Sequence, residues 1–315
     1  MRDFLACGNS HQGGRPLDFT ALRYFGETAH SRSIRAASER LHVSPSAISR
    51  QIAKLEHELR TPIFDRRSQG MVLTPAGEML LARVEGMMRE FARVKSHVAA
   101  LQNLQAGTVD IYCFQAAIES FVAPTLQQFH MRYPNVFFNV TVSSADKTIE
   151  ALTNGSAEIG LVLNPPVRDS IARTEIFRDK IVAAVAPTHP LAGRKLVSLQ
   201  ELAEFPFVLT ERSSGVRQQI DRTFDRHAID PNVFCVTNSI TLVKALASLD
   251  RQCALLPRFA VDNEVNAGTV SIIPVKEFMK EPLLFCVCEL KSRSLSPAAK
   301  AFVDAVIVFC QRFTH

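Results

Sequence analysis

In the stretch SIRAASERLHVSPSAISR, residues 33–50, the hydroxyls of Ser46 and Ser49 and the guanidinium of Arg50 fall within five positions, on one side of a segment that reads as a helix. Short polar and basic side chains at the start of a helix are suited to hydrogen bonding with base-pair edges, and arginine can pair bidentately with guanine O6 and N7. Ser44 and Pro45 set the start of that helix. Serine is a favoured N-cap, and proline at the first helical position gives up an N–H that would have no partner there anyway. One turn further on, Lys54 joins the same polar face, while Ile48, Ile52, Leu55 and Leu59 repeat at threes and fours and turn inward. The preceding segment, Ile34 to Leu41, reads as a shorter helix with small Ala36 and Ala37, and His42 and Val43 make the turn. A short helix, a tight turn and a second helix with an exposed N-terminal end is the geometry that enters a DNA major groove.

Helix pairs joined by short turns occur in proteins of every kind, and a charged outer face is usually only solvated. The flanking residues add weight to the DNA reading. Thr61 to Gly77, TPIFDRRSQGMVLTPAG, places strand-like pieces (Ile63, Phe64; Val72, Leu73) on either side of a polar tip with Arg66, Arg67, Ser68 and Gln69, and Gly70 sits at the turn. This is a basic two-stranded wing able to touch the phosphate backbone or the minor groove. A first helix from Leu17 to about Thr28, with Phe19, Leu22, Phe25 and Ala29 inward, completes an all-α winged helix-turn-helix module over 17–74, behind a flexible tail, 1–16. Thr74-Pro75 repeats the cap-plus-proline signal and opens a linker helix over 75–106. There Leu80, Val84, Met87, Phe91, Val94, Val98 and Leu101 alternate at four and three, the seam of a coiled coil, which predicts pairing with a second helix.

From Gly107 strands alternate with helices. TVDIYCF, NVFFNVTV and AEIGLVL read as strands separated by helices over about 118–131 and 147–153. A second series follows with IVAAVAP, PFVLT, a helix over 215–226, NVFCVT, a helix over 241–248 and QCALLP. The strand PLLFCVCEL and a helix over 297–313 close the chain. This predicts an α/β domain over 107–315 with mainly parallel sheets in two lobes, about 107–178 with 279–315 and about 179–278, and a cleft between them. Ligands in such sheets bind beyond the carboxyl ends of strands, near helix N-termini. The residues predicted there are Gln115, Ala116, Ala117, Ser143, Ser144, Leu163, Asn164, Thr210, Ser213, Asn238 and Ser239. Serines and asparagines at helix starts suit a small organic anion, a carboxylate by preference.

No catalytic, metal or cofactor site is expected. The chain has no G-x-G-x-x-G, G-x-x-x-x-G-K-[ST], G-x-S-x-G or H-E-x-x-H segment. His189, in THPLAG, reads as a turn residue. The seven cysteines have no zinc or redox spacing, and Cys286 and Cys288 share one face of a strand as buried thiols, which fits a reducing cytoplasm. Nothing resembles a signal peptide or a membrane span. The net charge of +5 is lopsided. Residues 1–105 hold 15 Lys and Arg against 10 Asp and Glu, and residues 106–315 hold 21 against 21. The positive excess sits with the helix-turn-helix, as in a nucleic-acid module joined to a neutral domain.

These segments together resemble the LysR-type transcriptional regulators. The resemblance runs from about Leu17 to Phe313 and is carried by LRYF, AASERLHVS, AISRQIAKLEHEL and PIFDRRSQGMVLTPAG, then by YPN at 133–135, IEALTNGSAEIGLVL, THPLAG and LQELAEFPFVL. It implies a cytoplasmic bacterial regulator of double-stranded promoter DNA. It also implies a C-terminal effector domain like a periplasmic binding protein, a small-molecule effector, and homodimers assembling to a homotetramer, with RNA polymerase a candidate partner. Pro45 stands where the family often has a base-reading glutamine, and Arg60 where a helix-ending glycine is common. Asp250, Arg251 and Gln252 fill a stretch that is usually glycine-rich. Two other readings compete: an α/β enzyme with an accessory helix-turn-helix, and a transporter's solute-binding protein. The missing nucleophile, metal and nucleotide motifs argue against the first, and the missing signal peptide and the basic N-terminal module argue against the second.

Overall fold

The structure, a computed structural model, describes residues 18–67, 70–102 and 107–313. The expected tail, 1–16, lies outside the described residues, as do Leu17 and the wing-tip residues Ser68 and Gln69. The chain divides into two compact units between Phe91 and Ala92.

The first unit contains α1 (Phe19–Ser31), α2 (Ile34–Leu41), α3 (Pro45–Leu59), β1 (Phe64–Arg67), β2 (Gly70–Leu73) and the start of α4 (Pro75–Gln102). Every helix start in it is capped from the sequence. Asp18, Ser33 and Ser44 accept hydrogen bonds from the backbone N–H groups of Thr20, Ala36 and Ala47, and Thr74 accepts from Gly77. The ends of α1, α2 and α3 are left-handed residues, Arg32, His42 and Arg60, with φ of 51°, 54° and 53°. Non-glycine side chains hold this conformation at a steric cost, so the packing of the three helices must impose it. Leu22, Phe25, Ala37, Ile48, Ile52, Leu55, Ile63 and Phe64 form one core, and burying each large side chain contributes roughly 1.5–3 kcal/mol. Two residues expected inside are outside: Phe19 lies tilted against Phe91, ring centroids 5.1 Å apart, while staying exposed, and Leu59, in the last turn of α3, faces solvent. The Glu56 carboxylate accepts from Ile63 N–H at 2.9 Å and Phe64 N–H at 3.3 Å, tying α3 to the wing. β1 and β2 pair antiparallel.

The second unit holds two five-stranded sheets. The first has the order β4-β3-β5-β12-β6: β3 (Gly107–Cys113), β4 (Val136–Val142), β5 (Ile159–Leu163), β6 (Ile171–Asp179) and β12 (Leu283–Leu290). A π-helical turn, Ile118–Val122, leads into α5 (Ala123–Arg132), and α6 (Ala145–Asn154) and α11 (Pro297–Cys310) also belong to this lobe. The second sheet has the order β11-β7-β10-β8-β9: β7 (Ile181–Val185), β8 (Phe207–Thr210), β9 (Val233–Thr237), β10 (Cys253–Pro257) and β11 (Ser271–Pro274). Its helices are α7 (Leu199–Leu202), α8 (Gly215–Arg226), α9 (Ile240–Ala247) and α10 (Asp262–Asn266). The sheets are less parallel than expected. β4-β3-β5 and β10-β8-β9 run parallel, whereas β12 pairs antiparallel with β5 and β6, and β7 pairs antiparallel with β10 and β11. The two strands not expected from the sequence, β6 and β11, are the edge partners in those antiparallel pairs; their mixed polar composition hides them.

The chain crosses between lobes twice, from β6 to β7 and from β11 to β12. At the first crossing the Asp179 carboxylate accepts from Phe259 N–H at 3.2 Å, and Arg258 N–H donates to Lys180 C=O at 3.0 Å. Burial pushes the Asp179 carboxyl up to about 6. The hydrogen bonds from backbone N–H groups of Lys180 and Phe259 oppose that rise, and Asp262 adds to it. A carboxyl raised in the folded state contributes stability that is complete below the unfolded value near 4 and is lost as pH rises through 6. Asp179→Asn keeps an acceptor for Phe259 and removes that loss. Its urea-unfolding midpoint should exceed the parent's at pH 8 by the equivalent of up to about 3 kcal/mol, and by little at pH 4. Equal midpoint shifts at the two pH values would show that the buried charge is not the cause.

Candidate nucleic-acid interface and effector cavity

The polar face of α3 is open. Ser44, Pro45, Ser46 and Arg50 are exposed, Ser49 and Lys54 are half-buried, and the opposite face (Ile48, Ile52, Leu55) is in the core. Ser44 Oγ both caps the helix and lies 3.1 Å from Ser46 Oγ, so these two hydroxyls orient each other. Lys54 stands 4.0 Å from Glu58 and is partly neutralised by it, which leaves Arg50 as the freer cation. The backbone of Arg66 and Arg67 lies in β1, and their side chains lie outside the described residues.

Along α4 the expected seam divides. Val84 is 4% exposed in the core of the first unit and Leu80 packs against the same core, so the start of the seam serves this module and does not face a partner. The reason is geometric: α4 begins against the wing, and its first turns bury their apolar stripe there. Met87, Phe91 and Val94 are then 42%, 46% and 49% exposed. The side chains of Val98 and Leu101 lie outside the described residues.

In the second unit a cavity of 410 Å³ opens between the two sheets. Of the residues predicted there, Gln115, Ala116, Ser143, Ser144, Leu163, Thr210, Ser213 and Asn238 line it. Three do not. Ala117 is fully buried in the core at the start of the π-helical turn. Asn164, with a left-handed φ of 47°, uses its carboxamide structurally: Nδ2 donates to Gln219 Oε1 at 2.8 Å and Oδ1 accepts from Leu284 N–H at 2.7 Å. Ser239 caps α9 by accepting from Leu242 N–H. Sequence reasoning placed strand ends correctly at these positions, but it could not tell which side chains a neighbouring element would claim.

The structure adds Lys147, Thr148, Glu211, Ser214 and Gly215 to the wall. Lys147 was legible as the third residue of a helix whose cap, Ser144, had already been assigned to the cleft. Glu211 follows Thr210 directly. The cleft therefore carries two charged side chains beside the serines and asparagine expected there. Hydrogen bonds also join its two sides. Gln115 Oε1 accepts from Ile240 N–H at 2.9 Å, and Lys244, almost fully buried, donates to Glu119 at 2.6 Å and pairs with Glu264 at 2.8 Å.

The buried thiols of Cys113, Cys253 and Cys288 are each pushed up to about 12 by desolvation, so none is a ready nucleophile at neutral pH. His189 is buried beside Phe205, with Nδ1 accepting from Leu191 N–H at 3.1 Å across its turn. No helix among the described residues is long and apolar enough to cross a membrane.

Residues 19–78 match the bacterial regulatory helix-turn-helix family of lysR type, and residues 102–309 match the LysR substrate binding domain. The chain is 32% identical over 295 residues to the transcriptional dual regulator GltC of Bacillus subtilis, covering 93% of this chain and 97% of GltC. It is 27% identical over 291 residues to the transcriptional activator IlvY of Salmonella typhimurium, covering 91% and 98%. Among solved structures it is similar in fold to full-length CbnR complexed with target DNA, with a TM-score of 0.69, 22% identity and coverage of 93% and 99%.

The Gln115–Ile240 bond generates one expectation. Gln115→Ala leaves the Ile240 N–H, at the start of α9, without its protein acceptor, at a cost of about 1–3 kcal/mol. Urea unfolding should show that loss, and Gln115→Glu, which keeps an acceptor, should recover most of it.

Proposed function

Because this chain belongs to the LysR family of transcriptional regulators, we propose that α3 and the wing bind promoter DNA as one half of a symmetric dimer, and that a small organic acid in the cavity modulates that binding. The family is one of regulators, so the enzyme and solute-transport readings fall away. The observation that carries the proposal is the two-sidedness of α3. Its inner face is sealed into the core, and its first turns present Ser46 and Arg50 to solvent, in the same module as the wing whose sequence carries Arg66 and Arg67. CbnR, of the same fold, was crystallised with its target DNA, which supports this use of the module.

The exposed Met87, Phe91 and Val94 support a dimer contact along α4, with further pairing of dimers giving a tetramer and RNA polymerase as an additional partner. Two recognition helices on one DNA face place half-sites roughly one or more helical turns apart. In the cavity, the N-terminal end of α6 offers backbone N–H groups and the positive end of the helix dipole to a carboxylate. A ligand that contacts both lobes binds one lobe arrangement better than another and so shifts their populations. α4 joins the two parts of the chain and carries that shift to the DNA.

Arg50→Ala should weaken operator binding by about 1–3 kcal/mol and relax the preference at one base pair per half-site. Arg66→Ala or Arg67→Ala should weaken binding to all sequences and flatten its salt dependence. Footprinting and competition with single-base operator variants separate the two effects, and an Arg50→Ala protein with unaltered sequence preference would remove α3 from the groove. Val94→Asp puts a charge into the α4 contact at a cost of several kcal/mol. Sedimentation at micromolar concentration should then show monomers, and a persistent dimer would place the interface elsewhere.

A further inference from the structure

Two full charges stand on the cavity wall, one on each lobe. Lys147 lies in the first turn of α6, beside β3 and β4, and Glu211 follows β8 in the other sheet. Both are exposed, and among the described residues neither has an ion-pair partner. The polar groups around each favour a ligand group of opposite charge. Lys147 shares its corner with Ser143, Ser144 and the N-terminal end of α6, all able to donate toward an anion. Across the cavity, Ser213 Oγ donates to Glu211 Oε1 at 2.5 Å, so that lobe has already supplied a carboxylate beside the start of α8. The third helix end at the cavity is also occupied, since Gln115 accepts from Ile240 N–H in addition to the Ser239 cap on Leu242 N–H, whereas α6 has the matching Ser144 cap on Lys147 N–H and, among the described residues, no such second acceptor. That leaves one corner open to an anion, at α6, and one open to a cation, at Glu211.

We infer that the ligand is a zwitterion of the α-amino-acid class, its carboxylate held by Lys147 with Ser143 and Ser144 and its ammonium by Glu211. The inference rests on the cavity being the effector site and goes further by naming the effector's chemistry. A simple carboxylate would place a second negative charge in a cleft that already holds Glu211, and a simple amine would leave Lys147 uncompensated; each mismatch penalises the wrong ligand. A molecule carrying both groups compensates both walls. It also bridges the lobes, so its affinity depends on how they are set and it can act as a switch. A cavity of 410 Å³ has room for such a metabolite.

The test uses the full chain in calorimetry and thermal shift. The probes are the twenty standard amino acids, each set against the 2-hydroxy acid and the amine with the same side chain. At least one amino acid should bind about tenfold or more tighter than both of its counterparts. In Glu211→Gln its advantage over the hydroxy acid should collapse to within about threefold, and in Lys147→Met its advantage over the amine should do the same. A hydroxy acid binding as well as its amino acid, with Glu211→Gln changing nothing, would overturn the zwitterion and leave the cavity as the effector site. Failure of all the amino acids to bind would overturn it equally. An amino acid that still binds after Ser213→Trp fills the cavity, in a variant whose circular dichroism is that of the parent, would remove the site itself.

Discussion

The cavity between the two sheets exists because the chain changes sheets twice. In each lobe a run of parallel strands, β4-β3-β5 or β10-β8-β9, is connected by helices, and that connection puts helix N-termini at the carboxyl ends of strands. The crossings from β6 to β7 and from β11 to β12 leave the two lobes with those ends toward one cavity, so that α6 from one sheet and α8 and α9 from the other line or border it. The antiparallel pairs made by β12 and β7 are the cost of crossing: a strand returning from the other lobe enters its sheet against the prevailing direction.

The same crossings need a stiff joint. Phe114, Phe121 and Phe177 of the first lobe pack on Phe259 of the second, backed by Phe285 of the first, with Phe121 and Phe285 ring centroids 4.7 Å apart and Phe121 and Phe259 5.3 Å apart. Aromatic rings bury large apolar area with few rotatable bonds, so the joint gains cohesion at small entropic cost. Around it run directional bonds between the lobes: Gln115 to Ile240, Asn164 to Gln219, Ser120 to the Phe259 carbonyl and Lys244 to Glu119. In an apolar joint with a polar rim, each rim bond is either made or lost. That is the property a ligand-driven switch requires.

In the DNA-binding unit the governing constraint is that α3 must be anchored on three sides and free on the fourth. Glu56 ties it to the wing, Ser44 caps its start, and Arg60 closes its end in a left-handed conformation. The cost of the non-glycine end is borne by the core that Ile48, Ile52 and Leu55 enter. Held this way, α3 has a fixed backbone while Ser46 and Arg50 stay exposed on its outer face.

Local chemistry was legible in the sequence wherever one segment decides its own structure. The Ser44-Pro45 and Thr74-Pro75 starts, the Ile34–Leu41 helix, the two-stranded wing and the alternation of strands and helices after Gly107 all follow from caps, fixed proline φ and apolar period. The strand ends that line the cavity followed from the same alternation. Tertiary structure alone decided whatever depends on a distant partner. It gave Val84 to the module's core and not to a seam, because α4 runs along α1 there, with Glu85 beside His30 and Phe91 beside Phe19. It turned Asn164 away from the cleft, because Gln219, 55 residues on, binds its amide, and it assigned Gln115 to an N–H 125 residues away. It also set Lys147 and Glu211 on opposite walls of one cavity. A periodic pattern shows which face of an element is apolar, but which element covers that face, and which carbonyl or charge meets a given polar side chain, is settled only when the lobes close on each other.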